Sequence, residues 1–133
     1  MRVRADRVVP IAKSDSEQRL VYGVVLEPDV EDAQGDVITA DEIERAAHRF
    51  MHKYATRRAD LGTDHTRDVG RDRLAIVESM VAPIDFTLGS QRVRKGSWVL
   101  TAKVLDPALW AGVKQGVYTG WSIEGWGDRD PAL

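Results

Sequence analysis

The sequence predicts an α+β domain: a mostly antiparallel, curled or barrel-like β-sheet with two helices packed outside it. Three observations carry this expectation. Short β-branched and aromatic runs recur between polar or glycine-containing breaks, as strands do. Only two segments combine helical spacing with a start signal. The chain has 133 residues, 43% hydrophobic and 30% charged. That suits a single soluble core over residues 1–133 and excludes a collagenous, membrane-spanning or wholly disordered chain. A domain of this size buries roughly two-thirds of its unfolded surface, enough to fold without staples. The absence of cysteine excludes a disulfide framework, a thiolate metal site and a Cys nucleophile. Nineteen basic and twenty-one acidic residues leave a formal charge of −2, so no global field draws nucleic acid or an anionic membrane. The basic start Met1-Arg2-Val3-Arg4 is not followed by the apolar stretch of a signal peptide or membrane span, and the chain reads as neither secreted by that route nor anchored.

Taken in order, Val3 to Ile11 reads as a strand and Lys13 to Gln18 as a polar turn. Leu20 to Leu26 reads as a central strand, in which Gly23 marks a bulge or the close approach of another backbone. Pro28 ends it, and the acidic stretch Asp29 to Asp36 must be a loop. Thr39-Ala40-Asp41-Glu42 has capping-box spacing, with a hydroxyl to accept from the third helical N–H and a glutamate to reach back to the cap. Behind it Ile43, Ala46, Ala47, Phe50, Met51 and Tyr54 form one apolar stripe, and the helix fades near Arg57. Ala59 to Thr66 reads as a polar turn, and Leu74 to Ala82 as a strand bounded by Gly70 and Pro83. Residues 86 to 96 read as a mobile connection and Ser97 to Leu105 as a strand. Asp106-Pro107 opens a helix of about two turns with Leu109, Trp110 and Val113 inward and Gly116 past its end. The last strand, Val117 to Trp126, alternates Val117, Thr119, Trp121 and Ile123 against Tyr118, Gly120, Ser122, Glu124 and Trp126.

Ser122 thus opposes the apolar face of its strand, between Gly120 and Gly125, where little bulk surrounds the hydroxyl. An acyl-transfer nucleophile needs that access, although an ordinary strand serine has the same spacing. A nucleophilic serine also needs a base, and the chain has three histidines. His48 and His52 stand four residues apart, a metal-clamp spacing, but lie opposite the apolar stripe with no third ligand near, so a solvated face is the better reading. His65, in the turn Gly62-Thr63-Asp64-His65-Thr66 before a strand, is the better base, against the alternative that it only hydrogen-bonds within its turn. Alternation places Glu78 on one face with Leu74, Ile76, Met80 and Ala82, and a carboxylate on an apolar face needs a partner. It could fix the tautomer of His65 as the acid of a triad does, or pair with an arginine on the exterior. Asp36, Asp64, Asp85 and Glu124 are rivals for that role. The Asp29 to Asp36 loop lacks the glycine register and closing glutamate of a calcium loop, and the basic cluster Arg92, Arg94 and Lys95 reads as a solvated loop.

Three segments together resemble the tailed-phage prohead proteases, specifically the XkdF-like serine protease domain. The first runs from Tyr22-Gly23-Val24-Val25-Leu26-Glu27-Pro28-Asp29 through Asp32-Ala33-Gln34-Gly35-Asp36-Val37-Ile38 to Ala46-Ala47-His48-Arg49-Phe50-Met51. The second is Asp64-His65-Thr66 with Val77-Glu78-Ser79-Met80-Val81-Ala82-Pro83. The third joins Lys95-Gly96-Ser97-Trp98-Val99-Leu100, Trp110, Val113-Lys114-Gln115-Gly116 and Thr119-Gly120-Trp121-Ser122-Ile123-Glu124-Gly125. The resemblance implies a β-barrel of the herpesvirus assemblin type and a serine endopeptidase that cleaves scaffold or capsid-protein segments inside the immature capsid, in the host cytoplasm. Ser122 becomes the nucleophile and His65 the base, with no cofactor, a homodimer and self-cleavage. The herpesvirus enzymes use a second histidine after the serine, and none follows Ser122 here. Three alternatives stay open: the sequence ends before the domain does, an upstream acid such as Glu78 serves, or the pair acts as a dyad. The competing function is a non-catalytic capsid-assembly or portal-associated module that binds capsid protein through the same fold.

Overall fold

The computed structural model describes residues 2–4, 7–31, 35–63, 69–123 and 126–128. In chain order the strands and helices are β1 (Arg2–Arg4), β2 (Arg7–Pro10), β3 (Lys13–Asp15), β4 (Leu20–Leu26), α1 (Ala40–Ala55), β5 (Leu61–Thr63), β6 (Leu74–Val81), β7 (Phe86–Leu88), β8 (Gln91–Val93), β9 (Trp98–Val104), α2 (Pro107–Lys114), β10 (Gly120–Ile123) and β11 (Trp126–Asp128). Every strand pair is antiparallel. The α+β class with two helices stands, but among the described residues the ladders do not close into a barrel. They form four sheets, ordered β1-β11, β2-β10-β5, β3-β4-β9-β6 and β7-β8. The chain passes directly from the three-stranded to the four-stranded sheet where β2 runs on into β3. There Ile11 N–H donates to Thr119 O at 2.9 Å and Ala12 N–H to Tyr22 O at 2.7 Å.

Both helices start where side-chain chemistry says they should. The Thr39 hydroxyl accepts from Glu42 N–H at 3.3 Å, and the Glu42 carboxylate accepts from Thr39 N–H at 3.2 Å, the complete capping box. α1 then lays Ile43, Ala47, Phe50 and Tyr54 into the main core, with Ala46 and Met51 half-buried beside them. At α2, Asp106 accepts from Leu109 N–H at 2.9 Å, with Pro107 in the first turn. Leu109, Trp110, Trp121, Ile123, Leu61 and Val9 meet Val21, Leu100, Ala102 and Val104 in the same core, so the three-stranded sheet and α1 share one face of the four-stranded sheet. The other face carries a second cluster, Val24, Ala82, Leu88, Val93 and Val99, under the β7-β8 hairpin. Gly23 fulfils its expectation. A Cβ there would meet Pro10 O at 2.7 Å and Trp121 Cη2 at 2.9 Å, so the two sheets can meet only over a bare backbone.

Three segments expected to be loops are strands. Lys13–Asp15 pairs with β4, and its polar side chains suit an edge, where Lys13 Nζ lies 5.1 Å from the Tyr22 ring centroid. Leu61–Thr63 is too short for periodicity to register, yet Leu61 is 1% exposed in the main core. Residues 86 to 93 are no mobile connection but a hairpin with a two-residue loop, whose first loop residue, Gly89, has φ 61°. Val93 is 0% exposed and anchors it to the second cluster.

Candidate active site

Ser122 sits in the middle strand of the β2-β10-β5 sheet, with Val8 and Gly62 as its cross-strand partners. Trp121 and Ile123 on either side of it enter the main core, so Ser122 projects to the opposite face, as the alternation requires. Gly120, two residues earlier, shares that face. The serine is 6% exposed; on this face it has Gly62 and Val8, itself 51% exposed, directly across from it and Gly120 and Pro10 as its next neighbours. The role of Gly62 was not legible in the sequence, because residues 59 to 66 read as a turn and gave β10 no second partner. The apolar Leu61 in that mostly polar stretch was the available signal.

His65 lies outside the described residues, two positions past the end of β5. Asp64 and Glu124 lie outside them as well, as does Gly125. His48 and His52 are exposed on α1, and His52 Nδ1 stands 3.4 Å from the Arg58 guanidinium.

Glu78 sits elsewhere than strict alternation would put it. Ile76 pairs with Ala102 and Glu78 with Thr101, so Val77 is an extra residue, a β-bulge that resets the alternation. Leu74 and Ile76 face the core before the bulge, and Ser79 and Val81 face it afterwards. The Trp98 indole N–H accordingly donates to Ser79 Oγ at 3.0 Å. Glu78 is turned outward and exposed, in register with Thr101, which in turn pairs with Tyr22. Burial lifts the Tyr22 phenol above its ordinary pKa, and the Glu78 and Asp15 carboxylates add to the rise. Ser122 and Glu78 therefore occupy different sheets, and each faces away from the main core. After the bulge Glu78 still shares a face with Met80 and Ala82 but no longer with Leu74 and Ile76, and it is exposed there. Among the rivals, Asp36 is exposed, and Asp85 accepts from Lys95 N–H at 2.7 Å and from Arg92 at 3.4 Å.

The connection between β5 and β6 is tied down at its far end by Arg71. Its guanidinium donates to Asp60 Oδ1 at 2.8 Å, to Ala59 O at 3.0 Å and to Tyr54 O, and its Cζ lies 3.8 Å from the Tyr54 ring centroid. Tyr54 in turn accepts from Ile76 N–H at 2.9 Å through its hydroxyl. The chain that includes His65 thus leaves from a strand paired with β10 and returns at an anchored residue.

Residues 7–130 match the family described as "Putative phage serine protease XkdF". The chain is 48% identical over 112 residues to the Phage-like element PBSX protein XkdF of Bacillus subtilis (strain 168), covering 84% of this chain and 38% of that protein. It is 45% identical over 115 residues to the Uncharacterized protein YqbD of the same organism, covering 86% of this chain and 34% of that protein. The chain therefore spans little more than a third of either relative. No solved structure matches it. With the match running through both helices and every strand but the first, the chain belongs to the XkdF family.

Proposed function

We propose that this chain is a serine endopeptidase domain of phage capsid maturation, cutting scaffold or capsid-protein segments within the prohead, with Ser122 as nucleophile and His65 as general base. The observation that carries this is the placement of Ser122 on the face away from the main core, in register with Gly62 of the strand that runs on toward His65. The strand beside it, β5, leads to His65 in two residues. In the reaction, His65 takes the Ser122 proton as Oγ attacks the scissile carbonyl, and backbone N–H groups near the glycines stabilise the oxyanion. The C–N bond breaks as His65 returns the proton to the leaving amine. Water, deprotonated by His65, then releases the acyl group and restores the serine.

The pair is read as a dyad. Glu78 is exposed on the four-stranded sheet, and on the dyad reading Glu78→Gln is expected to leave cleavage within about twofold of wild type. The finer fold belongs to the same reading: the two larger sheets are parts of one curled sheet of the assemblin type, joined through β2 and β3 and meeting again where β5 lies beside β6. A homodimer, self-cleavage and a location inside the assembling prohead follow from the resemblance.

The test is coexpression with the cognate capsid and scaffold proteins, comparing wild type, Ser122→Ala and His65→Ala by intact mass of every product. Discrete fragments with wild type alone are the expected outcome. Identical mass profiles from all three, with the proteins still copurifying, overturn the protease and leave an assembly module.

A further inference from the structure

A groove of about 290 Å³ runs along the end of β4, with Pro10, Leu26 and Val30 supplying apolar surface and Glu27, Glu31 and Asp36 supplying carboxylates. No lysine, arginine or histidine stands among its described lining residues. Neither Glu27 nor Glu31 forms an ion pair among the described residues. The groove also adjoins the serine's own sheet. Pro10 pairs with Gly120, two residues from Ser122 and on the same face. Diagonal neighbours of this kind stand roughly 7–8 Å apart. An extended peptide advances roughly 3.3 Å per residue, so a segment held at Ser122 reaches the groove within a few residues.

We propose that this groove binds a lysine or arginine side chain of the substrate segment, two to four residues from the scissile bond, with an aliphatic substrate residue on Val8. The inference rests on the reading of Ser122 as nucleophile. A long basic side chain is the occupant that fits both properties of the groove: its methylene stem covers apolar surface while its cation meets carboxylates at the rim. A purely aliphatic residue would leave the Glu27 and Glu31 carboxylates unanswered, and an acidic one would be repelled. Val8, 51% exposed and directly opposite Ser122 in the register, offers apolar contact close to the bond that is cut.

Binding can be separated from cleavage by using the Ser122→Ala protein. Two fluorescein-labelled dodecapeptides of the same aliphatic sequence, one with a Lys-Arg pair and one with Glu-Glu in its place, are titrated by fluorescence anisotropy at low ionic strength. The basic peptide is expected to bind at least tenfold more tightly. Glu27→Lys combined with Glu31→Lys should abolish that preference, and Glu31→Lys alone, at an exposed position, should reduce it about threefold in a protein with an unchanged circular dichroism spectrum. Equal binding of the two peptides, no binding of either, or a preference untouched by charge reversal overturns the groove. If wild type cuts nothing in coexpression while the charge preference stands, the nucleophile reading fails and the groove survives as a binding site for basic peptides.

Discussion

Arg71 joins the end of α1, the 59–60 turn and the start of β6 through one guanidinium, using its planar fork on two carbonyls and a carboxylate while it lies over an aromatic ring. A lysine offers a point charge on a flexible stem and cannot reproduce that geometry. Arg71→Lys is expected to cost about 1–2 kcal/mol in a urea unfolding measurement, since several part-buried hydrogen bonds lose their donor at once. A second residue-scale effect concerns pH. Hydrogen bonds from backbone N–H groups, that of Leu109 for Asp106, Gln18 for Asp15 and Lys95 for Asp85, hold these three carboxyls below their ordinary value of 3.8. A carboxyl depressed on folding stabilises the native state above its unfolded pKa, and that contribution is lost as pH falls through the folded value. The urea midpoint should therefore hold steady from pH 7 to about 5 and drop as the pH falls to and below 3.8. Asp106→Asn keeps a capping acceptor without the charge. The gap between its midpoints at pH 7 and pH 3 should be smaller than that of wild type, and an equal gap would remove Asp106 from the explanation.

At the scale of the element, β4 and β6 show how one residue decides what a strand presents. Gly23 was legible in the sequence as a break in a β-branched run, and the structure gives the break its cause in the backbone of β2 and the ring of Trp121. Gly23→Ala should destabilise by about 3 kcal/mol, at the upper end of overpacking costs, because one of the atoms a Cβ meets is a backbone oxygen that cannot rotate away. A loss below about 1 kcal/mol would mean that the two sheets are free to separate locally. The bulge at Val77 left no such trace. Both faces of Leu74 to Ala82 are apolar apart from Glu78 and Ser79, so the sequence could neither orient the strand nor reveal an extra residue, and alternation grouped Glu78 with Leu74 and Ile76, from which the bulge separates it. Both helices were legible to within two residues at their ends because caps are local chemistry, whereas β3, β7 and β8 are three-residue strands too short for alternation to register, and β5 depends on a partner remote in the chain. The candidate site divides in the same way: alternation within β10 placed Ser122, while Gly62 beside it was visible only once β5 had its partner.

Across the whole molecule the apolar residues fall into two clusters on opposite faces of the β3-β4-β9-β6 sheet, and they are unequal. The larger gathers both helices, the three-stranded sheet and the inner faces of β4, β6 and β9. The smaller holds the β7-β8 hairpin through Leu88 and Val93, with Asp85 accepting from the Lys95 amide at its base. A small cluster on the outside of a sheet can open while the sheet itself remains intact, and its amides then exchange at a lower free energy than the global one. The hairpin amides of Thr87, Leu88 and Arg92 are therefore expected to exchange at least tenfold faster than those of Leu100, Ala102 and Val104 on β9 under native conditions. Asp85→Ala, which removes the acceptor of the Lys95 amide and the partner of Arg92, should widen that difference by accelerating the hairpin alone. If hairpin and β9 amides instead exchange together and respond together to Asp85→Ala, the two clusters open as one cooperative unit. The serine's strand would then gain its rigidity from both faces of the large sheet and not from the helical face alone.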